Sequence, residues 1–387
     1  MRNDCIGRGQ HHNPKMVLLL GNYPPDQQQS MQRFTAMMLR GLTERGIEAK
    51  VIRPEPFFGR VLGGFVGKWL GYIDKYILFP FQLRENLRER PAIVHICDHS
   101  NAVYVDKCNG IPVVVTCHDL LAVRGALGED TDCPATLTGR FLQKWILRGL
   151  GHARAIACVS AATASDARRL LDGGGRPDIS TISLGLNYEY KQIPERIART
   201  RLQESGIVQP DRAFILHVGS DLSRKNRDGV LRIFERVHKQ WNGDLVFVGD
   251  PLTPELRKLA TDIGIAQRVK EIPDASNELL EALYNRALAL VYPSRSEGFG
   301  WPIIEAQACG CPVICSTVGP LRDVAGDGAL FHSVEDEAGF AADVMRLTSP
   351  GERQSWSEKS LRNAQRFSTT KMIDEYTQLY NEIGGRP

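Results

Sequence analysis

Short apolar runs alternate with longer amphipathic segments along almost the whole chain. A short apolar run bounded by polar residues predicts a buried strand, and apolar residues three or four positions apart predict a helix. In the first half, the helical spacing occurs in Met31–Arg45, where Ser30 can act as the N-cap, and in Ala161–Leu171. The apolar runs that predict strands there are Met16–Leu20, Ala49–Ile52, Ile93–Cys97, Val113–Cys117, Ala155–Val159 and Ile179–Ile182.

The same alternation restarts near Ala213 and continues through the second half. Helices fit between its apolar runs, for example Asp228–Gln240, Glu278–Arg286 and Glu335–Leu347. Strands that alternate with helices in this way predict βαβ units and a parallel sheet. The runs that predict strands are Ala213–Gly219, Leu245–Val248, Val269–Ile272, Ala289–Tyr292, Val313–Cys315 and Ala329–Phe331.

A stretch of turn residues, Gly185–Pro194, separates the two halves. We therefore predict an α/β protein of two doubly wound domains, residues 1–190 and 191–368, followed by a C-terminal segment, 369–387, that forms one amphipathic helix. Ligands of such sheets bind at the carboxyl ends of the strands. With two such domains, the cleft between them is the expected binding site.

Composition and charge narrow the possible classes of protein. Hydrophobic residues make up 42% of the 387 residues, which excludes global disorder, and a net charge of +3 excludes a strongly basic nucleic-acid binder. Nine cysteines without a C-x-x-C pair indicate a reducing compartment, so we expect a cytoplasmic protein. The chain begins with a polar segment, and no run reaches the ~18 apolar residues of a spanning helix.

The stretch Phe57–Phe81 is unusually aromatic. It contains eight aromatic residues, with Arg60, Lys68 and Lys75 among them. Two interpretations are open: core residues beside solvated cations, or an interfacial helix that contacts an anionic membrane surface. The second predicts peripheral membrane association at the inner face of the membrane.

The most informative segment is Ser294–Gly310, with the sequence SRSEGFGWPIIEAQACG. It begins just after a predicted strand, and Pro302 is well placed as the first residue of a helix. A helix N-terminus and the preceding glycines allow a phosphate to approach the backbone closely. Glu297 in the loop and Glu305 in the helix are two carboxylates that suit different hydroxyl-rich parts of one ligand.

Two other strand ends carry candidate side chains. Arg224 and Lys225 stand just before a predicted helix in HVGSDLSRKNR. Cations are unfavourable at a helix N-terminus unless an anion lies between them and the helix, so this turn indicates an anion site. In VVVTCHDLL, His118 follows an apolar strand, where either a structural role or a ligand contact is open.

These segments together resemble one known family. EGFGWPIIEAQACGCPVI resembles the E-x7-E signature of retaining glycosyltransferases of family four, which have the GT-B architecture. The RKN turn, VTCHD, ACVSAATASDARRLL and ISLGLN also resemble segments of that family, in the same order. The resemblance covers roughly Met16 to Tyr380 and implies two Rossmann-like domains that face a central cleft. It also implies that the last helix crosses back onto the first domain.

The resemblance implies a role for each matching residue. Glu297 would hold hydroxyls of the transferred sugar, and the backbone of Gly298–Gly300, which includes Phe299, would contact sugar and phosphate. Glu305 would bind the ribose of a nucleotide. The implied reaction moves a hexose, with mannose as the favoured sugar, from a nucleoside diphosphate sugar to a glycan or lipid-linked acceptor, as in polysaccharide assembly.

The remaining implied roles concern the leaving group and the first domain. Arg224 and Lys225 would neutralise the diphosphate, and Gly219 would let the nucleotide lie close to the strand end. His118 would approach the sugar from the first domain. Because fixed cations offset the leaving charge, no metal and no cofactor are expected.

Two departures from the family pattern and one further motif affect these roles. The loop after the first strand, Pro24–Arg33, lacks the usual Gly-Gly, so its part in donor or acceptor binding is open. Ser220 stands where many members have arginine, so Arg224 is expected to supply the second positive charge. The D-x-D at Asp130–Asp132, a metal motif in other glycosyltransferases, is interpreted as a solvated loop.

Other classes compete with this interpretation. A nicotinamide oxidoreductase requires G-x-G-x-x-G after an early strand, and GNYPPDQ does not match it. A sugar-nucleotide epimerase or a phosphorylase on the same fold stays open, as does a non-catalytic protein that binds nucleotide sugars. A protein that only binds has no need of Glu297, Glu305, Lys225 and His118 together, so the sequence favours a transferase.

Overall fold

The computed structural model describes residues 16–26, 28–59, 64–172, 177–209 and 211–384, without the side chains of residues 64–68. Twelve strands occur within these ranges, and each overlaps one of the predicted apolar runs. They are β1 Val17–Leu20, β2 Ala49–Ile52, β3 Ile93–Ile96, β4 Val113–Cys117, β5 Ala155–Cys158, β6 Asp178–Thr181, β7 Phe214–Val218, β8 Asp244–Val248, β9 Val269–Ile272, β10 Leu290–Tyr292, β11 Val313–Ser316 and β12 Ala329–His332.

Helices connect the strands, as the alternation predicts. The α-helices are α1 Gln29–Glu44, α2 Gly64–Ile73, α3 Phe79–Leu87, α4 Leu121–Ala126, α5 Leu137–His152, α6 Ala161–Leu170, α7 Glu195–Ser205, α8 Arg227–Val237, α9 Pro254–Asp262, α10 Asn277–Arg286, α11 Trp301–Ala308, α12 Leu321–Ala325, α13 Glu337–Arg346, α14 Pro350–Ala364 and α15 Thr369–Gly384. Short 3₁₀ turns and one π-helical segment complete the set; these are Pro24–Asp26, Asp74–Leu78 (π), His99–Lys107, Ser223–Lys225, Ala266–Arg268 and Gly326–Gly328.

The chain forms two compact units. Within the described residues, unit 1 comprises 16–126, 135–183 and 369–384, and unit 2 comprises 127–134 and 184–368. Unit 1 contains a parallel sheet in the order β2-β1-β3-β4-β5-β6, and unit 2 a parallel sheet in the order β12-β11-β10-β7-β8-β9. Both orders are those of a doubly wound sheet, so the predicted fold class is confirmed. The loop 127–134 belongs to unit 2, although it lies within the first half of the sequence.

Helix α15 is part of unit 1, where buried polar contacts fix it to the sheet. Thr116 of β4 lies between His95 Nε2 and Tyr376 Oη, at 2.7 Å from each. Tyr380 Oη lies 2.6 Å from His95 Nδ1. Burial lowers the pKa of His95 to about 3, so its ring is neutral and its two nitrogens have different roles, one as donor and one as acceptor. These contacts specify where the C-terminal helix sits on unit 1.

One predicted helix start is wrong. Helix α1 begins at Gln29, with Gln28 at the N-cap position and no side-chain cap. Ser30 therefore lies inside the helix and does not cap it. The physical reason is that the Gln28 carbonyl already accepts from the N–H groups of Met31 and Gln32, each at 3.1 Å, so the helical hydrogen bonding starts before Ser30.

The aromatic stretch 57–81 is partly core and partly exposed. Phe79 is buried, whereas Phe57 and Phe81 are each 69% exposed and Trp69 is 53% exposed. Arg60 and the side chain of Lys68 lie outside the described residues. No helix in the described part of the chain is both long and apolar enough to span a bilayer.

Candidate functional site

A turn at the carboxyl end of β7 positions two cations in unit 2. The chain leaves β7 at Gly219, where a Cβ would lie only 3.3 Å from Lys225 Cδ. The 3₁₀ turn Ser223–Lys225 follows, and Asn226, in the left-handed region with φ 54°, starts α8. The Asn226 amide donates to the Pro293 carbonyl at 3.0 Å. This bond holds the cationic turn against the loop that follows β10.

Glu297 in that loop lies between the two cations. Arg224 Nη1 donates to Glu297 Oε2 at 2.6 Å, and Lys225 Nζ donates to Oε1 at 2.7 Å. Tyr292, at the end of β10, accepts from Lys225 Nζ at 2.7 Å and donates to Glu297 Oε1 at 2.8 Å. The structure therefore brings together three of the predicted site residues, and the buried Tyr292 links two of them, Lys225 and Glu297.

The charges in this cluster hold one another in their ionised forms. Burial alone would raise the pKa of Glu297, but Lys225 and Arg224 overcome that effect and lower this pKa to about 2. Burial lowers the pKa of Lys225, and the Glu297 carboxylate opposes that shift. The cluster is thus a carboxylate with two cations, and it keeps a net positive charge to offer to an anion.

The N-terminus of α11 lies directly after Glu297. Gly300 occupies the N-cap with φ 104°, a value that favours glycine, and a Cβ there would lie 2.8 Å from the Leu321 side chain. The helix begins at Trp301, so the expectation that Pro302 is its first residue is wrong by one position, and Pro302 still lies in the first turn, where no N–H is needed. The Phe299 ring packs edge-on against Phe367 at 5.8 Å.

Glu305, one turn further along α11, is held by two donors that the sequence analysis missed. Its side chain accepts from Asn187 Nδ2 and from Tyr284 Oη, each at 2.9 Å. Burial and then Glu305 itself raise the pKa of Tyr284, so the phenol stays protonated and donates. Asn187 belongs to the ISLGLN segment and Tyr284 to an amphipathic helix. Neither pattern alone indicates that the two side chains meet at Glu305.

His118 lies in unit 1, after β4, and is buried. Its Nε2 lies 3.0 Å from the Cys97 carbonyl oxygen, and its ring meets Phe34 edge-on at 5.0 Å. Burial lowers the pKa of His118, so the imidazole is neutral near pH 7. The contact of His118 with a donor sugar stays a prediction.

Near His118 is a polar cluster that the sequence analysis also missed. Asp98 follows β3 and accepts from Asn22 Nδ2 and from Ser100 Oγ, each at 2.5 Å. The Nδ1 atom of His99 lies 3.1 Å from Asp98 Oδ1. Burial would raise the pKa of Asp98, but the hydrogen bond and charge of His99 outweigh that effect and lower it. The signal in the sequence was a polar DHSN run directly after a buried strand.

The D-x-D loop lies beside the Glu297 loop in unit 2. Ser296 Oγ donates to Asp132 Oδ2 at 3.2 Å, and both aspartates, Asp130 and Asp132, are exposed. Among the described residues, no three His, Cys, Asp or Glu side chains are grouped as metal ligands would be.

Two family models match the chain, one over each half. The model described as Glycosyltransferase Family 4 matches residues 31–189, and the model described as Glycosyl transferases group 1 matches residues 199–362. Among curated relatives, a D-inositol 3-phosphate glycosyltransferase of Acidothermus cellulolyticus is 31% identical over 70% of this chain and 62% of its own length. An O-antigen chain mannosyltransferase B of Escherichia coli is 29% identical over 62% of this chain and 65% of its own. The chain thus spans a little under two thirds of these two relatives.

Solved structures share the fold. Sucrose-phosphate synthase from Thermosynechococcus elongatus has a TM-score of 0.73 at 18% identity, covering 95% of this chain and 98% of its own. The Anabaena protein HepE in complex with UDP and glucose has a TM-score of 0.71 at 17% identity, covering 95% of this chain and 99% of its own. Likeness at this identity concerns the fold alone, and it confirms the two Rossmann-like domains of the predicted GT-B architecture.

Proposed function

We propose, since the chain belongs to glycosyltransferase family four and has the GT-B fold, that it transfers a hexose from a nucleoside diphosphate sugar to an acceptor hydroxyl. The single observation that carries the proposal is the cluster of Arg224 and Lys225 around Glu297 beside the N-terminus of α11. Two fixed cations and a helix N-terminus suit a diphosphate, and a carboxylate suits sugar hydroxyls.

The proposed mechanism depends on the charge of the leaving diphosphate. As the bond to the anomeric carbon breaks, negative charge accumulates on the departing phosphate oxygens. Arg224 and Lys225 stand where they stabilise that charge, and removal of one such preorganised donor typically costs on the order of 10²–10³ in rate. Glu305, fixed by Tyr284 and Asn187, would accept from the ribose hydroxyls. We propose that no metal and no cofactor take part, since the two cations offset the leaving charge.

We propose retention of the anomeric configuration. A double displacement would need an unpaired carboxylate at the anomeric carbon, and Glu297 is engaged by Arg224, Lys225 and Tyr292. A carboxylate in that state is better suited to hold hydroxyls than to attack. Departure and attack on the same face of the sugar, with the leaving phosphate accepting the proton of the acceptor, fits this arrangement. We also propose that His118 contacts the donor sugar.

The sugar and acceptor are proposed from the relatives. The name of the Escherichia coli relative, an O-antigen chain mannosyltransferase, favours mannose. We propose in addition a polysaccharide product and a glycan or lipid-linked acceptor. We also propose that the protein works in the cytoplasm at the inner face of the membrane, which it contacts through segment 57–81. The exposed Phe57, Trp69 and Phe81 support that contact.

The proposal is tested by donor binding and by product analysis. Nucleotide sugars are screened for protection of the full chain against thermal unfolding, because a ligand that binds the folded state raises the melting temperature. The donor found is then incubated with glycan acceptors, and the anomeric configuration of the product is read by NMR. An inverted product would refute retention. Protection without transfer to any acceptor would favour a binding protein, and a converted donor without transfer would favour an epimerase.

A further inference from the structure

Helix α5 of unit 1 carries cations and no acid. Its sequence, LTGRFLQKWILRGLGH, contains Arg140, Lys144 and Arg148 and neither aspartate nor glutamate. All three cations are exposed, whereas Ile146, Gly149 and Leu150 on the opposite face are buried. The spacing of three and four residues puts Arg140, Lys144 and Arg148 on a single stripe that faces solvent.

The same exposed face carries two large apolar side chains. Leu137 is 84% exposed and Phe141 is 73% exposed, and they lie four residues apart. At 100° per residue, Leu137 falls within the arc that the three cations occupy, and Phe141 lies about 20° beyond its edge. A solvated helix face needs no such apolar residues. A face that combines cations with exposed leucine and phenylalanine is typical of a helix that lies in the plane of a membrane interface.

The cations of α5 lack the carboxylate partners that several other cations of unit 1 have. Arg45, Lys50, Lys75 and Arg124 each form an ion pair with an aspartate or a glutamate of the unit. Among the described residues, none of the three α5 cations has a carboxylate within ion-pair distance. The α5 face therefore presents uncompensated positive charge, and its complement is an anionic surface.

Aromatic contacts join this face to the exposed part of segment 57–81. The ring of Trp145 in α5 lies 5.5 Å from that of Tyr76, which stacks on Tyr72 at 5.8 Å, and Tyr72 meets Trp69 at 5.6 Å. The chain of rings Trp145–Tyr76–Tyr72–Trp69 thus connects α5 to the exposed Trp69. The two exposed surfaces of unit 1 are neighbours.

We propose that the exposed face of α5 binds an anionic phospholipid bilayer, with Arg140, Lys144 and Arg148 at the headgroup phosphates and Leu137 and Phe141 at the acyl boundary. This inference rests on the membrane contact proposed above and gives it a lipid class, but it is independent of the proposed chemistry. Each cation near an anionic leaflet strengthens binding roughly fivefold, so the three together supply about 100-fold.

The test is sedimentation of the full chain with two kinds of vesicle. One is phosphatidylcholine alone, and the other is phosphatidylcholine with about 30 mol% phosphatidylglycerol. We expect the wild type to bind the anionic vesicles far more strongly than the neutral ones, and less strongly as salt is raised. The variant Arg140→Gln/Lys144→Gln/Arg148→Gln should lose about 100-fold of that binding. A wild type that binds neither vesicle, or both equally, overturns the proposal.

A control matched for net charge separates position from total charge. Lys239, Lys258 and Lys270 all belong to unit 2. Their simultaneous replacement by glutamine removes the same three charges and should leave vesicle binding unchanged. An equal loss in this control would mean that net charge alone attracts the chain, which overturns the role of α5.

Two further measurements keep this proposal distinct from the others. The variant Phe57→Ser/Phe81→Ser tests segment 57–81. If this variant loses vesicle binding and the α5 variant keeps it, the α5 proposal alone is overturned. Thermal protection of the α5 variant by the donor nucleotide sugar should equal that of the wild type, since its substitutions are on the solvent face of unit 1. If nucleotide sugars protect neither the wild type nor the α5 variant against thermal unfolding, the proposed function is refuted, and the vesicle-binding result still stands.

Discussion

The Glu297 carboxylate occupies the two cations that we assign to the diphosphate. Arg224 and Lys225 both donate to it, at 2.6 and 2.7 Å. A diphosphate that binds there must share these donors with Glu297 or displace it. We therefore expect the substitution Glu297→Gln to tighten the binding of the free nucleoside diphosphate, while it damages transfer because the sugar loses its carboxylate.

The magnitude follows from the removal of one negative charge. A unit charge about 6 Å from a phosphate, at an effective dielectric constant of about 20, repels it by roughly 3 kcal/mol. The glutamine still competes weakly for the two cations, and they lose the partner that holds them in place. We expect a net gain of roughly 1–2 kcal/mol, which is about tenfold tighter binding.

Calorimetric titration with the nucleoside diphosphate at pH 7 measures this gain. The matched control is Glu337→Gln in the same unit, because Glu337 also accepts from two arginines, at 2.7 and 3.3 Å. The Glu337→Gln substitution should leave the affinity for the nucleoside diphosphate unchanged.

The gain in affinity should also depend on pH. Because burial lowers the pKa of Lys225 and Glu297 opposes this shift, Lys225 loses its proton more easily in the Glu297→Gln variant. The gain should shrink as the pH rises. Equal or weaker binding by a folded Glu297→Gln protein would refute the reasoning.

Further outcomes follow from the same site. Lys225→Ala should lower kcat/KM for transfer at least tenfold, and unchanged turnover would remove its role. Activity should persist in EDTA, and full loss restored by Mn²⁺ or Mg²⁺ would give the Asp130–Asp132 loop a metal role. Tyr284→Phe should weaken nucleotide binding severalfold, since Glu305 loses a donor, and calorimetry against diphosphate without the nucleoside, which should be unaffected, isolates the ribose contact. Since the folded pKa of Glu297 is lowered to about 2, its ionisation stabilises the fold above its unfolded pKa, and this contribution is lost as pH falls towards 2. The melting temperatures of wild type and Glu297→Gln should therefore converge in acid.

The central strands could be predicted because they are short apolar runs buried on both faces of their sheets, whereas the edge strands β2, β6 and β9 are only partly buried. β4, for example, is buried at all five positions, and its predicted bounds match the structure. Such a run needs no information from elsewhere in the chain. The ends of helices depend on neighbouring turns, and for that reason Ser30 was misassigned as a cap.

Helix α5 shows why some elements escape a pattern analysis. Its exposed face contains Leu137 and Phe141 among cations, so apolar residues occur on both faces and the amphipathic period is blurred. The place of loop 127–134 in unit 2 could not be predicted from its own residues either. Nothing in its own composition indicates that Asp132 meets Ser296, 164 residues later in the chain.

The site residues were predictable one by one, but their pairing was not. Strand ends identified Lys225 and Glu297 as candidates, because parallel strands end at a common edge. That Tyr292 contacts both depends on the β10 backbone placing its phenol between two loops. This has a chemical consequence, because one hydroxyl links the residue assigned to the phosphate with the residue assigned to the sugar. A diphosphate that draws Lys225 away from Tyr292 also changes the hydrogen bonding of Glu297. Occupation of the phosphate site and the charge available to the sugar are therefore coupled through one buried side chain.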